Sequence, residues 1–79
     1  MEAKDLARVI VRRALAKKEL ASEREAEAEI TQALLEQRIP FIGVWVDFLE
    51  NGNRQAEFSI LTEGMQCTQK VLCTNSMLI

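Results

Sequence analysis

The only proline, Pro40, divides the chain into two halves of different character. Before it there is neither glycine nor proline, and most residues are Ala, Leu, Glu, Lys, Arg or Gln, the strong helix formers. After it, apolar residues recur at every second position, which is the period of a β-strand. Proline ends a helix and pushes the residue before it towards extended backbone. The sequence therefore predicts helices up to about Arg38 and strands after Pro40.

The helical half is too long for one helix of a small domain. A continuous helix from Ala3 to Arg38 would be about 54 Å long from the standard rise per residue, which exceeds the width of a 79-residue domain. Ser22 and Glu25 have the spacing of a capping box, in which each side chain bonds a main-chain amide near the other. We expect two helices with a break between Leu20 and Ser22, and one long helix is the alternative.

Three strands are predicted after Pro40. The alternating segments are Phe41–Phe48, Ala56–Thr62 and, more weakly, Thr68–Thr74. Asn51–Asn53 and Gly64 provide the turns between them. The expected fold class is α+β, with two N-terminal helices, or one long helix, packed on a three-stranded antiparallel β-meander. The length fits a single domain covering residues 1–79.

The turn between the first two strands leaves the register open. A two-residue Asn-Gly turn would put each core-facing residue of the first strand opposite a polar residue of the second. A three-residue loop, Asn51–Asn53, with Asn53 in the left-handed conformation, makes one continuous apolar face instead. Its pairs are Phe48 with Ala56, Val46 with Phe58, and Val44 with Ile60. We expect the three-residue loop, and a five-residue loop with the same alternation is the alternative.

The charge and the apolar runs of the chain disfavour two classes of function, a basic nucleic-acid-binding arm and a membrane-spanning protein. Ten basic and twelve acidic residues give a net charge of −2, which disfavours a polybasic nucleic-acid arm. The longest apolar run, Phe41 to Val46, is far shorter than the roughly 20 residues that span a bilayer. No basic stretch followed by an apolar run opens the sequence, so we expect no secretory signal. We expect a cytoplasmic protein without membrane association and without a cofactor or a metal.

The chain offers no pairing of a nucleophile with a base. It has serines and cysteines but no histidine to activate them. Cys67 and Cys73 would lie about 20 Å apart along a straight strand, too far for a disulfide. Neither belongs to a C-x-x-C motif. We expect both cysteines to be small core residues, and we expect no enzymatic activity.

Two carboxylates deserve comparison with a known class of enzyme. Asp47 and Glu57 fall on neighbouring predicted strands, an arrangement that over residues 24–59 resembles the paired metal-binding carboxylates of restriction-type nucleases. Ser59 stands where that motif has a lysine. We interpret the two carboxylates as solvent-exposed residues of the sheet.

The sheet face away from the helices is the first candidate for binding a partner. If alternate residues from Ile42 to Phe48 face the helices, the opposite face carries Phe41, Trp45, Leu49, Leu61 and Leu72. Contiguous exposed apolar surface marks an interface, and Trp is frequent among the residues that dominate binding. Trp45, Phe41 and Leu61 are therefore candidate partner-binding residues. The alternative is that residues Met77–Ile79 fold over this face.

An acidic row is the second candidate. Glu25, Glu29 and Glu36 lie close together on the second predicted helix and would present negative charge to a basic partner. The first twenty residues carry six basic and three acidic side chains, and the next twenty carry two and five. The alternative is therefore that the acidic helix pairs with the basic one.

These observations predict a non-enzymatic protein–protein interaction module, a small inhibitor or regulator that binds a protein partner or itself as a homodimer. In size and composition it is similar to phage- and plasmid-encoded inhibitors such as antirestriction and anti-CRISPR proteins, although no motif is shared. The alternative is a nucleic-acid-binding regulator. It would use Lys4, Arg8 and Arg12, which form one basic row on the first helix.

Overall fold

Two helices precede a three-stranded antiparallel sheet in the computed structural model, which describes residues 2–79. The elements are α1 (Ala3–Leu15), α2 (Glu23–Glu36), β1 (Phe41–Phe48), β2 (Arg54–Thr62), β3 (Met65–Cys73) and a 3₁₀ turn (Asn75–Met77). The strand order is β1-β2-β3, a meander. The predicted α+β fold class is confirmed.

Ser22 separates the two helices, as predicted. Its Oγ accepts a hydrogen bond of 3.1 Å from the amide of Glu25, and it has the extended backbone of an N-cap residue. The Glu25 carboxylate accepts in return from the amide of Ala21 at 3.2 Å, one residue before the expected amide. The first helix ends at Leu15, so the connection is longer than the predicted break.

The core lies between the helices and one face of the sheet. Both helices pack on this face, α2 mainly over β1 and α1 over β2 and β3. The largest fully buried side chains are Val11 and Leu15 of α1, Ile30 and Leu34 of α2, Phe58 and Ile60 of β2, and Val71 and Cys73 of β3. The two helices therefore leave the opposite face of the sheet without a covering layer.

The hairpin between β1 and β2 corrects the expected register by two residues. The observed pairs are Val44 with Phe58, Val46 with Ala56, and Phe48 with Arg54. The amide of Gly52 donates to the carbonyl of Leu49 at 3.0 Å, and Gly52 has a φ of 88°. Glycine adopts this left-handed conformation without steric cost, so it takes the position that we expected Asn53 to occupy. The three-residue loop was wrong, and the five-residue loop holds, with the apolar face preserved.

A β-bulge at Ile42 corrects the predicted faces at the start of β1. Phe41 pairs with Ile60 but Gly43 pairs with Ser59, so Ile42 is an extra residue. The bulge reverses the alternation before it. Phe41 therefore packs partly buried against the core, and Ile42 is 52% exposed. The prediction that Phe41 projects from the outer face was wrong.

Candidate protein-binding surface

The outer face of the sheet has Trp45 and two charged residues across its middle and further exposed apolar residues towards its ends. The pairing places Trp45 of β1 beside Glu57 of β2, which in turn lies beside Lys70 of β3. Glu57 and Lys70 form an ion pair of 3.8 Å. The exposed large apolar residues of this face are Ile42, Trp45, Leu49, Leu61 and Leu72. Asp47 lies opposite Gln55 and Glu57 lies opposite Trp45, so the two carboxylates are not directly opposite each other.

Ile42 and Leu61 lie towards the end of the sheet where β1 begins, and the ring of Trp45 extends towards the same end. We call Ile42, Trp45 and Leu61 the Trp45 patch. Ile42 and Gly43 lie at the bulge opposite Ser59, and Leu61 is the next outward residue of β2. The Trp45 indole extends over Gly43 and fills the space that a side chain at that position would occupy. Trp45 is 51% exposed. The patch therefore offers a large aromatic surface to solvent.

The segment after β3 does not cover this face. The amide of Ile79 donates to the carbonyl of Ala16 at 2.8 Å, and the amide of Lys18 donates to the carbonyl of Ile79 at 2.9 Å. Leu78 packs against the core. The last residues thus lie at the end of α1, and the alternative in which they fold over Trp45 is wrong.

The acidic row on α2 is largely engaged within the chain. Glu25 caps its own helix, and Glu29 forms an ion pair with Lys17 of the connection after α1. The hydrogen bond to Glu29 raises the pKa of Lys17 above its usual value. Among residues 2–79, Glu36 makes no ion pair. The structure thus pairs Glu29 with a cation just after α1, so Glu25 and Glu29 do not form a free acidic surface.

The basic row on α1 is also partly engaged. Lys4 lies 3.6 Å from Glu2. Nη1 of Arg8 donates hydrogen bonds to Oε1 of Gln69 at 3.0 Å and to the carbonyl of Lys70 at 3.1 Å, which ties α1 to β3. Arg12 is exposed. The three predicted cations therefore do not form one uniform free row.

Arg54 has an important position that sequence analysis missed. It is only 8% exposed, and its Nη1 donates to the carbonyl of Leu15 at 2.9 Å and to that of Lys17 at 2.7 Å. Its guanidinium lies 4.6 Å from the ring centroid of Phe48. Arg54 thus satisfies carbonyls at the end of α1, where the helix dipole favours a cation. No local pattern marks such a contact, since the two segments are far apart in sequence.

Residues 2–79 contain no metal-binding cluster, no disulfide and no helix able to span a membrane. Between residues 2 and 79, no group of three or more Asp, Glu, Cys or His side chains is placed to hold a metal ion. Cys67 and Cys73 are both free thiols. No helix in this range has the length and apolar character needed to cross a membrane. No protein-family model, curated protein or solved structure matches the chain.

Proposed function

We propose that this chain is a non-enzymatic protein-binding module, a small inhibitor or regulator, that binds its protein partner through the Trp45 patch. The observation that carries the proposal is the half-exposed indole of Trp45 lying over Gly43 on an uncovered sheet face. Tryptophan contributes a large apolar contact area, and it is enriched among residues that dominate binding energy.

The contact with Gly43 supports this assignment further. A Trp side chain resting on its own strand needs to lose little rotamer freedom when a partner binds. Ile42 and Leu61 provide apolar surface beside the indole, and the ion pair of Glu57 with Lys70 provides a polar border. An apolar centre with a polar rim is the usual arrangement of protein interfaces. The acidic row is left out of the proposed surface because Glu25 and Glu29 are engaged in the fold.

The test compares capture of proteins from the native host by matched variants. Trp45→Ala and Leu61→Asp alter the patch, whereas Leu35→Asp places a charge on α2 at a side chain that is 61% exposed. We expect at least one protein to be retained by the wild type and by Leu35→Asp, and to be lost with both patch variants. Circular dichroism establishes that each variant is folded. Equal retention by the patch variants and the wild type would exclude the proposal.

Nucleic-acid binding by α1 is the competing function, and the exposed side chain of Arg12 is its remaining support. Phosphate contacts predict that log affinity falls linearly and steeply with log salt, and that Arg12→Ala makes the slope shallower. Docking on an apolar patch predicts little dependence on salt. A salt titration of binding to duplex DNA therefore separates the two functions.

A further inference from the structure

The two outer strands of the sheet differ in how their open edges are occupied. In antiparallel strands, the main-chain groups of alternate residues point towards the neighbouring strand and away from it. The amide of Leu49 donates to the carbonyl of Asn53 at 2.8 Å, so the odd-numbered residues of this segment bond to β2. The main chains of Val44 and Val46 therefore point towards the open edge of β1.

The open part of the β1 edge is short and has a defined boundary at each end. At one end, the bulge at Ile42 interrupts the regular strand. At the other end, Oε2 of Glu23 accepts a hydrogen bond of 2.9 Å from the amide of Phe48 and so occupies the edge. The open part of the edge is therefore residues 43–47, with Trp45 at its centre.

The edge of β3 is instead occupied at one main-chain group. The carbonyl of Lys70, which points away from β2, accepts a hydrogen bond of 3.1 Å from Arg8 of α1. Charged side chains along an edge are a common device against strand pairing. Lys70 is the one charged residue of β3, and β1 also has one, Asp47, at the end of its open segment.

We propose that β1 of a second copy of this chain pairs antiparallel with this edge, with the two-fold axis at Trp45. Val44 then pairs with Val46 of the second copy, and each such pair exchanges two main-chain hydrogen bonds. Trp45 lies directly opposite Trp45 of the second copy on the outer face. The two sheets join into one of six strands, with the two Trp45 patches side by side.

The occupant is a second copy because the open segment is complementary to itself. The axis at Trp45 uses both residues with free edge groups and places Gly43 opposite Asp47, so no like charges meet. An axis at Val46 would require pairing at Phe48, where Glu23 is bound. An axis at Val44 would draw the bulged Ile42 into the ladder. Only the axis at Trp45 avoids both boundaries.

The first test is made on the wild-type protein, so it does not depend on whether a variant folds. Sedimentation equilibrium at millimolar concentration is expected to give twice the mass of one chain. Amide hydrogen exchange is expected to be slow at Val44 and Val46 under these conditions and to become faster on dilution, while Thr68 on the β3 edge exchanges rapidly throughout. The mass of a single chain, or rapid exchange at Val44 and Val46 within the dimer, would overturn the inference.

The second test uses two variants matched in exposure. Trp45→Lys places like charges opposite each other across the proposed axis, whereas Leu72→Lys adds the same charge on β3, away from it. The two side chains are 51% and 49% exposed. We expect a single-chain mass for Trp45→Lys and a dimer for Leu72→Lys. A dimeric Trp45→Lys or a monomeric Leu72→Lys would contradict the proposed pairing.

The inference goes beyond the proposed function and does not rest on it. Both tests use the purified chain alone, without any other protein. A strict monomer that still captures a host protein through the Trp45 patch would remove the strand pairing and leave the proposed function intact.

Discussion

The indole of Trp45 occupies the space that a side chain on Gly43 would need. An ideal Cβ built on Gly43 would lie 2.6 Å from Cη2 and 2.8 Å from Cζ2 of Trp45, closer than real carbon atoms approach. Residues two apart on a strand point to the same face, so the two positions are neighbours on the outer face. The orientation of the only tryptophan therefore depends on the absence of a side chain two residues before it.

Gly43→Ala is expected to displace the Trp45 ring while the fold is retained. Alanine favours a strand over glycine by about 0.5–1 kcal/mol, which opposes the lost contact, so the free energy of unfolding should change by less than about 1 kcal/mol. The emission maximum and acrylamide quenching of the single tryptophan report the ring position. Ser59→Ala, on the facing strand, is the control. Identical Trp emission in Gly43→Ala and the wild type would contradict the contact.

Replacing Arg54 is expected to weaken the whole domain. Arg54→Met removes two charge-assisted hydrogen bonds and leaves the carbonyls of Leu15 and Lys17 without this partner, so the free energy of unfolding should fall by about 2–4 kcal/mol. Arg12→Met, at an exposed position, should change it by no more than about 0.5 kcal/mol. Urea denaturation gives both values. Equal losses of stability with the two substitutions would show that the buried guanidinium of Arg54 stabilises the domain no more than an exposed one.

The parts of the fold that the sequence predicts are those determined by local chemistry. Ser22 and Glu25 are close in sequence, and their side chains satisfy main-chain amides at the start of the same helix. The inward positions of Val44 and Val46 follow from the alternation of side chains along a strand, because only one face of the sheet is buried and the apolar residues must point to it. These features do not require knowledge of the rest of the molecule.

The parts that were missed depend on a choice between similar local energies or on distant contacts. The turn shifted by one position because Gly52 adopts positive φ more easily than Asn53, which moves the register by two residues. An isolated glycine within a strand, here Gly43, is a recognised sign of a bulge. A bulge at this point would have predicted that Phe41 faces the core. The contact of Arg54 with the end of α1 has no local sign.

Ser22→Ala is expected to lower the free energy of unfolding by about 0.5–2 kcal/mol, because an amide at the start of α2 loses its hydrogen-bond acceptor. Ser22→Asp should retain most of the stability, since a carboxylate also caps a helix and interacts well with its dipole. Thermal unfolding followed by circular dichroism compares the two. A loss with Ser22→Asp as large as with Ser22→Ala would argue against capping by this side chain.

The two cysteines are expected to react at very different rates with a thiol reagent. Cys67 is partly exposed, whereas Cys73 is fully buried. In native protein one thiol per chain should be modified rapidly, and the second should require unfolding. Cys67→Ser isolates the slow thiol, and denatured wild type gives the total of both. Rapid modification of native Cys67→Ser would contradict the burial of Cys73.

Arg38 provides a prediction of increased stability. It follows α2 with a φ of 57°, in the left-handed region, and its amide donates to the carbonyl of Leu35 at 3.0 Å. The next amide, that of Ile39, donates to the carbonyl of Leu34 at 3.0 Å, which completes the Schellman motif. Glycine is the usual residue at this position because a side chain is strained there.

Arg38→Gly is therefore expected to raise the free energy of unfolding by about 0.5–1 kcal/mol. The relief of left-handed strain, about 1–2 kcal/mol, exceeds the added entropy of glycine in the unfolded chain. Gln37→Gly is the matched control, because Gln37 has a φ of −90° and gains no such relief. It should lower the stability by about 0.5–1 kcal/mol. Urea denaturation at one pH compares both with the wild type, and a destabilised Arg38→Gly would show that the positive φ at Arg38 carries no strain to relieve.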